Sequence, residues 1–143
     1  MKKVFHFFAK FMLCTVLSCV VFLSVSSDAK AMTLEDLQGD YRIIEEGDTL
    51  HTWGVHSDGS IVTLSYENDD LAGRVKKPSK GCGFVAGDQF LSDVYVDNGT
   101  AYCQFSALPG FTKNSVINIY NHGATIRIQA REAKGYFWVL KRL

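Results

Sequence analysis

Cys82 and Cys103 could act as a nucleophile, as metal ligands or as a disulfide. A metal pair is disfavoured because neither has a second Cys or His two to four residues away. A nucleophile needs a free thiol and a nearby base, and nothing in the sequence brings His51, His56 or His122 close to either cysteine. We therefore predict a disulfide, which would close a loop of about 22 residues and stabilise the fold by roughly 3 kcal/mol.

His51 and His56 are the other candidate metal ligands. We predict a regular strand here, on which residues five apart point to opposite faces, so a shared metal would require an irregular turn between them. The acidic run at residues 67–70 lacks the glycine and the spacing of a calcium loop, which favours a polar loop. We accordingly predict no metal site, no cofactor and no catalytic residue, and we do not expect an enzyme.

The first 31 residues resemble a secretory signal peptide. Lys2, Lys3 and Lys10 precede an apolar run from Phe11 to about Val25, and a small-residue cleavage site ends at Ala31. Retention as a membrane anchor and lipidation at Cys19 are the alternatives, although the apolar run is shorter than the roughly 20 residues of a membrane span. We expect cleavage after Ala31 and a periplasmic or secreted protein, in a compartment that permits disulfides.

The chain that would remain, residues 32–143, has the length of one domain. Without the leader, 11 of the 15 basic and 14 of the 15 acidic side chains remain, a formal charge of −3. Such a chain has no general attraction for nucleic acid or anionic lipid, so we expect neither as a partner and no stable membrane insertion. A local basic cluster, Arg74, Lys76, Lys77 and Lys80, is either a solvated loop or a docking patch for an acidic partner.

The rest of the pattern predicts strands and turns. Short segments with period-two alternation flank the turn signals Asp58-Gly59, Asp97–Gly99 and His122-Gly123. A helical turn precedes the first strand. The pattern predicts strands at residues 40–46, 51–57, 60–66, 89–96, 100–106, 115–121, 124–130 and 135–142. Weaker strand patterns lie near residues 71–75 and 83–86. An all-β antiparallel meander exposes sheet edges unless it closes, so we predict a small barrel, with a two-sheet sandwich as the alternative.

Three stretches resemble bacterial lipocalin-like domains: "LQGDYRII" from Leu37 to Ile44, "WGVHSDGSIVTLSY", and the ending "YFWVLKR". In that family a tryptophan on the first strand packs under a late arginine at the barrel floor. The matching position here is Tyr41, and Arg142 or Arg127 would supply the cation. The resemblance implies a binding protein without catalysis, with a cavity inside the barrel.

Aromatic residues are the remaining candidates for binding. We expect ligand or partner contacts at Trp53, Tyr66, Phe111 and Trp138. Phe111, beside Pro109-Gly110, is either an exposed anchor or a plug folded over the barrel end. Our first functional hypothesis is an envelope binding protein that holds a small apolar ligand inside the barrel. The alternative is a protein-interaction module, such as an inhibitor of a cell-wall hydrolase, in which rigid loops lose little entropy on docking.

Overall fold

Alternating apolar and polar residues form eight strands in the computed structural model, which describes residues 33–143. On the seventh strand, for example, Ile126, Ile128 and Ala130 are buried and the residues between them are partly exposed. The strands are β1 (Gly39–Glu46), β2 (Ile61–Glu67), β3 (Asp70–Lys77), β4 (Gln89–Asp97), β5 (Thr100–Ser106), β6 (Thr112–Tyr120), β7 (Thr125–Ala130) and β8 (Phe137–Arg142).

Each strand pairs antiparallel with the next, and β1 pairs with β8, so the sheet closes into a barrel. The predicted all-β meander barrel is therefore confirmed, and the sandwich is not adopted. Closure gives each of the eight strands within residues 33–143 a neighbour on both sides, so none of them is an edge strand. A 3-10 turn, Leu34–Leu37, precedes β1, as the sequence predicted. The predicted signal peptide, residues 1–31, lies outside the described residues.

The prediction was wrong between β1 and β2. We expected a strand over residues 51–57, paired with its neighbour across Asp58-Gly59. The chain instead forms a short helix, α1 (Asp48–Thr52), followed by an irregular turn. The hairpin partner of β2 is β3, which contains the weaker strand pattern near residues 71–75. Asn68 and Asp69, both in the left-handed conformation, join the two strands. The other weaker pattern, near residues 83–86, does not form a strand.

The core is built around Trp138 on β8, which is fully buried. Its ring centroid lies 5.9 Å from that of Phe84 and 5.3 Å from those of Phe90 and Phe105. All three phenylalanines are also buried, and Phe84 joins the group from the β3–β4 connection. Edge-to-face and tilted ring contacts of this kind stabilise a core beyond the area they bury.

Arg142 and Tyr41 connect the last strand to the first. They are register partners, and the Arg142 guanidinium carbon lies 5.0 Å from the centre of the buried Tyr41 ring. Arg142 Nη2 donates a hydrogen bond to the Tyr41 hydroxyl at 2.7 Å, and that hydroxyl donates to the Leu37 carbonyl at 2.8 Å. Arg142, rather than Arg127, thus supplies the cation at this end of the barrel, while Arg127 stacks on Phe137.

Replacing Tyr41 should separate the two parts of this contact. Tyr41→Phe removes only the hydroxyl and its hydrogen bonds, and we expect a loss of roughly 1–2 kcal/mol of unfolding free energy. Tyr41→Ala also leaves a cavity, and we expect a loss of about 3–5 kcal/mol. Urea unfolding measures both values. Tyr120→Ala, at an exposed tyrosine of β6, is the control and should change stability by less than about 0.5 kcal/mol. A Tyr41→Ala loss as small as that of the control would contradict the closure role.

Candidate functional site

The two ends of the barrel differ in the length of their connections. Turns of two to four residues join β2 to β3, β4 to β5 and β6 to β7 at one end. At the other end the connections are longer, and they span residues 47–60, 78–88, 107–111 and 131–136. We call this second end the loop end. Long connections on a rigid sheet are where binding residues concentrate, so the loop end is the candidate functional surface.

Trp53 and Phe111 form an exposed aromatic pair at the loop end. Their ring centroids are 5.7 Å apart, and the side chains are 48% and 50% exposed. The Trp53 ring also lies 6.2 Å from that of buried Tyr136. Val85, 66% exposed in the β3–β4 connection, adds an apolar side chain to the same end. Phe111 is thus half-exposed and packs against Trp53, and its role as an anchor stays a prediction.

Buried Tyr136 contacts both members of the aromatic pair: Trp53 through its ring and Phe111 through its hydroxyl. Its hydroxyl accepts a hydrogen bond from the Ala107 amide at 2.8 Å and donates one to the Phe111 carbonyl. Burial raises the pKa of this hydroxyl, which therefore stays protonated and able to donate. The β5–β6 connection is fixed at both of these points, so the aromatic pair is presented on an ordered backbone.

A β-bulge in β1 buries Glu46. Tyr41 and Ile43 are buried, and strict alternation would bury Glu45 next. The register of β1 against β8 shifts between Ile43 and Glu45, so Glu46 takes the buried position and Glu45 is exposed. Bulges re-aim side chains in this way. The Glu46 side chain is only 1% exposed.

Two histidines lie beside this carboxylate. His51 Nε2 is 3.2 Å from Glu46 Oε1, and the His51 and His56 ring centroids are 5.1 Å apart. The Ser57 amide donates to both carboxylate oxygens of Glu46, at 2.8 and 3.0 Å. One ligand atom from each of the three side chains lies within 4.8 Å of the others. We call Glu46, His51 and His56 the Glu–His–His cluster.

Contacts with other connections position α1. A side chain on Gly47 would meet the Gly135 carbonyl oxygen at 1.9 Å, so only glycine permits this close approach. The Thr49 amide donates to the Gly135 carbonyl at 3.1 Å. At the other end of α1, Gly54 has a φ of 78°, the left-handed conformation that ends many helices. These contacts place His51 over Glu46.

The β3–β4 connection positions His56. The His56 amide donates to the Gly81 carbonyl at 3.1 Å, and the Ser79 hydroxyl donates to the His56 carbonyl at 3.1 Å. The backbone of His56 is therefore held while its ring is exposed. The irregular turn that a shared ion requires is thus present between the two histidines, contrary to the predicted strand. The stretch Gly47-Asp48…Gly54, with an acid in the first turn and a terminal glycine, is the sequence signal for α1.

The other predicted contact residues lie apart from the loop-end surface. Trp138 is inside the core, and its Nε1 is buried without a hydrogen-bond partner among the described residues. Tyr66 is at the short-turn end, where it lines a polar cleft with Glu35, Gln38 and Asp69. Trp53 and Phe111 alone of the four predicted contacts come together.

The predicted disulfide is not present in this structure, in which Cys82 and Cys103 are both free. Cys103 takes one of the alternate buried positions of β5, between Ala101 and Phe105. Cys82 is half-buried in the β3–β4 connection outside the strands. Burial raises the pKa of the Cys103 thiol to about 12. Cys103 is therefore a packed apolar residue in this fold, without the thiolate character that a nucleophile requires.

Two of the four residues of the basic cluster form ion pairs with neighbouring carboxylates. Arg74 pairs with Glu67 and Lys76 with Asp40, each at 2.7 Å. A hydrogen bond from Lys76 and a second from Thr63 lower the pKa of Asp40. Both basic residues lie on β3 rather than in the predicted loop. Cross-strand pairing on the barrel exterior therefore accounts for them without an acidic partner.

Comparison with protein-family models, curated proteins and solved structures gave no significant match. Among residues 33–143, no helix is long and apolar enough to span a membrane. A functional assignment therefore depends on the aromatic pair and the Glu–His–His cluster themselves.

Thiol labelling should distinguish the two cysteines of the barrel. In the folded protein we expect an alkylating reagent to modify Cys82 much faster than Cys103, because burial keeps the Cys103 thiol protonated and covered. Labelling of Cys103 should stay slow up to about pH 10, because its raised pKa exceeds that value. Peptide mapping by mass spectrometry measures each site. Finding the two residues joined in one cross-linked peptide from unreduced protein would contradict the free-thiol state.

Proposed function

We propose that this protein is a non-catalytic binding protein that docks a partner protein through the aromatic pair at the loop end. The observation that carries the proposal is the half-exposure of both Trp53 and Phe111 on an ordered support. Large aromatic side chains are costly to leave in water and dominate binding energy where they enter a partner's pocket. Val85 extends the apolar surface around them.

The packing of the core favours a surface site over an interior one. The rings of Phe84, Phe90 and Phe105 each contact the ring of Trp138 in the core. A small apolar ligand inside would have to displace some of these rings, and opening a packed core costs several kcal/mol. The loop end requires no such rearrangement, because its aromatic pair is already accessible.

No catalytic step is part of the proposal. The thiol of Cys103 is buried and protonated. The predicted leader supports a role outside the cytoplasm, and a rigid exported barrel suits an interaction module such as an inhibitor of a cell-wall hydrolase. In that role the aromatic pair would enter an apolar pocket of the enzyme, and the closed barrel would hold the loops with little loss of entropy on docking.

Site-specific photo-cross-linking in producing cells tests the proposal. A photoreactive phenylalanine analogue is placed at position 53, at position 111, or at the control position 120, an exposed tyrosine at the short-turn end. We expect positions 53 and 111 to cross-link to the same partner and position 120 to give none of that product. With the purified partner, the double variant Trp53→Ala/Phe111→Ala should bind at least tenfold more weakly, and Tyr120→Ala should bind as the wild type does.

Two results would contradict this proposal. One is the same cross-linked product from all three positions, since it would show no preference for the loop end. The other is unchanged affinity for the purified partner in the double variant, with circular dichroism confirming that the variant is folded.

A further inference from the structure

We propose that the Glu–His–His cluster is a binding site for a divalent metal ion of the zinc class. Its donors are two imidazoles and one carboxylate, the set with which zinc is bound by three protein ligands and one open position. Imidazole nitrogen favours zinc, copper and nickel over calcium and magnesium, which prefer oxygen ligands throughout. The inference concerns residues 46–57 and is independent of the proposed role of the aromatic pair.

The separation of the donor atoms fits such an ion. In a tetrahedral site with bonds of about 2.0–2.1 Å, two ligand atoms lie about 3.3 Å apart. Glu46 Oε1 and His51 Nε2 are 3.2 Å apart, so an ion could contact both with almost no movement. It would replace the proton that these two atoms share in the hydrogen bond. His56 has a donor nitrogen within 4.8 Å of the other two ligand atoms, and rotation of its exposed ring can close the remaining distance.

The carboxylate is already oriented for ligation. Both Glu46 oxygens accept from the Ser57 amide, a contact of the kind that fixes ligating carboxylates in metal sites. The Ser57 hydroxyl is fully buried and has no hydrogen-bond partner among the described residues. Among those residues, His51 is the one His, Lys or Arg side chain with a nitrogen within 4.0 Å of a Glu46 carboxylate oxygen. A buried carboxylate with so little positive charge nearby is stabilised by a bound cation.

A bound ion would connect three separately held parts of the chain. Glu46 ends β1, His51 lies on α1, and His56 lies in the turn held by the β3–β4 connection. Ligation would therefore lock the whole β1–β2 connection, including Trp53, which caps α1. Because an ion that binds only the folded state stabilises that state, the melting temperature should rise with metal concentration.

Titration of the purified protein with Zn²⁺, and separately with Co²⁺, tests the site. We expect one high-affinity ion per chain, a visible Co²⁺ spectrum typical of tetrahedral nitrogen and oxygen ligation, and a higher melting temperature. His51→Ala/His56→Ala should weaken Zn²⁺ binding at least tenfold. Both rings are exposed, so this variant should fold, which circular dichroism verifies. His122→Ala removes an exposed histidine of the β6–β7 connection and should leave affinity unchanged.

Glu46→Gln keeps the shape of the side chain and removes its charge. We expect Glu46→Gln to weaken Zn²⁺ binding at least tenfold as well, whereas the control His122→Ala should leave Zn²⁺ affinity unchanged. Equal Zn²⁺ affinity in the wild type and the double histidine variant would overturn the proposal. An equal loss from His122→Ala would also overturn it, because the binding would then reflect surface histidines in general.

Discussion

The pairing of β1 with β8 is the constraint on which the rest of the structure depends. This pairing closes the barrel and brings Arg142 against Tyr41. The first and last strands are therefore held by backbone hydrogen bonds and by the Arg142 guanidinium, which lies over the Tyr41 ring and donates to its hydroxyl. The same pairing contains the bulge that buries Glu46 at the opposite end of β1. One strand pair thus fixes the closure of the barrel and the carboxylate of the Glu–His–His cluster.

The unequal connections then divide the molecule into a structural end and a candidate functional end. The short turns at one end leave little room for binding groups, and the long connections at the other bring together residues that are distant in sequence. Tyr136, from the β7–β8 connection, supports Phe111 and Trp53 from two further connections. Gly47 and Gly135 let α1 approach the same region closely. The β1–β2 connection therefore contributes to two groups with different chemistry: Trp53 to the aromatic pair, and His51 and His56 to the cluster.

The strands of the barrel could be predicted because the sequence signals for them lie within each strand and its adjoining turns. Alternation over β7 and the turn residues between paired strands specify the strands without reference to distant contacts. The cluster could not be predicted in the same way. Its carboxylate depends on a bulge that changes which of Glu45 and Glu46 is buried, and its histidines depend on α1 docking against Gly135. The cysteines are a related case: the pairing of two cysteines depends on where the fold places them, and in this structure both are free and Cys103 packs in the core.

Our central proposal is that the barrel is filled by its own side chains and binds through its loop end. The most direct test is titration of the Trp53→Phe variant, in which Trp138 is the remaining tryptophan, with a fluorescent polyene fatty acid. We expect no saturable binding and no change in Trp138 emission, because Phe84, Phe90 and Phe105 occupy the space around that ring. Saturable binding of one probe per chain, with energy transfer from Trp138, would contradict the claim and place the ligand inside the barrel.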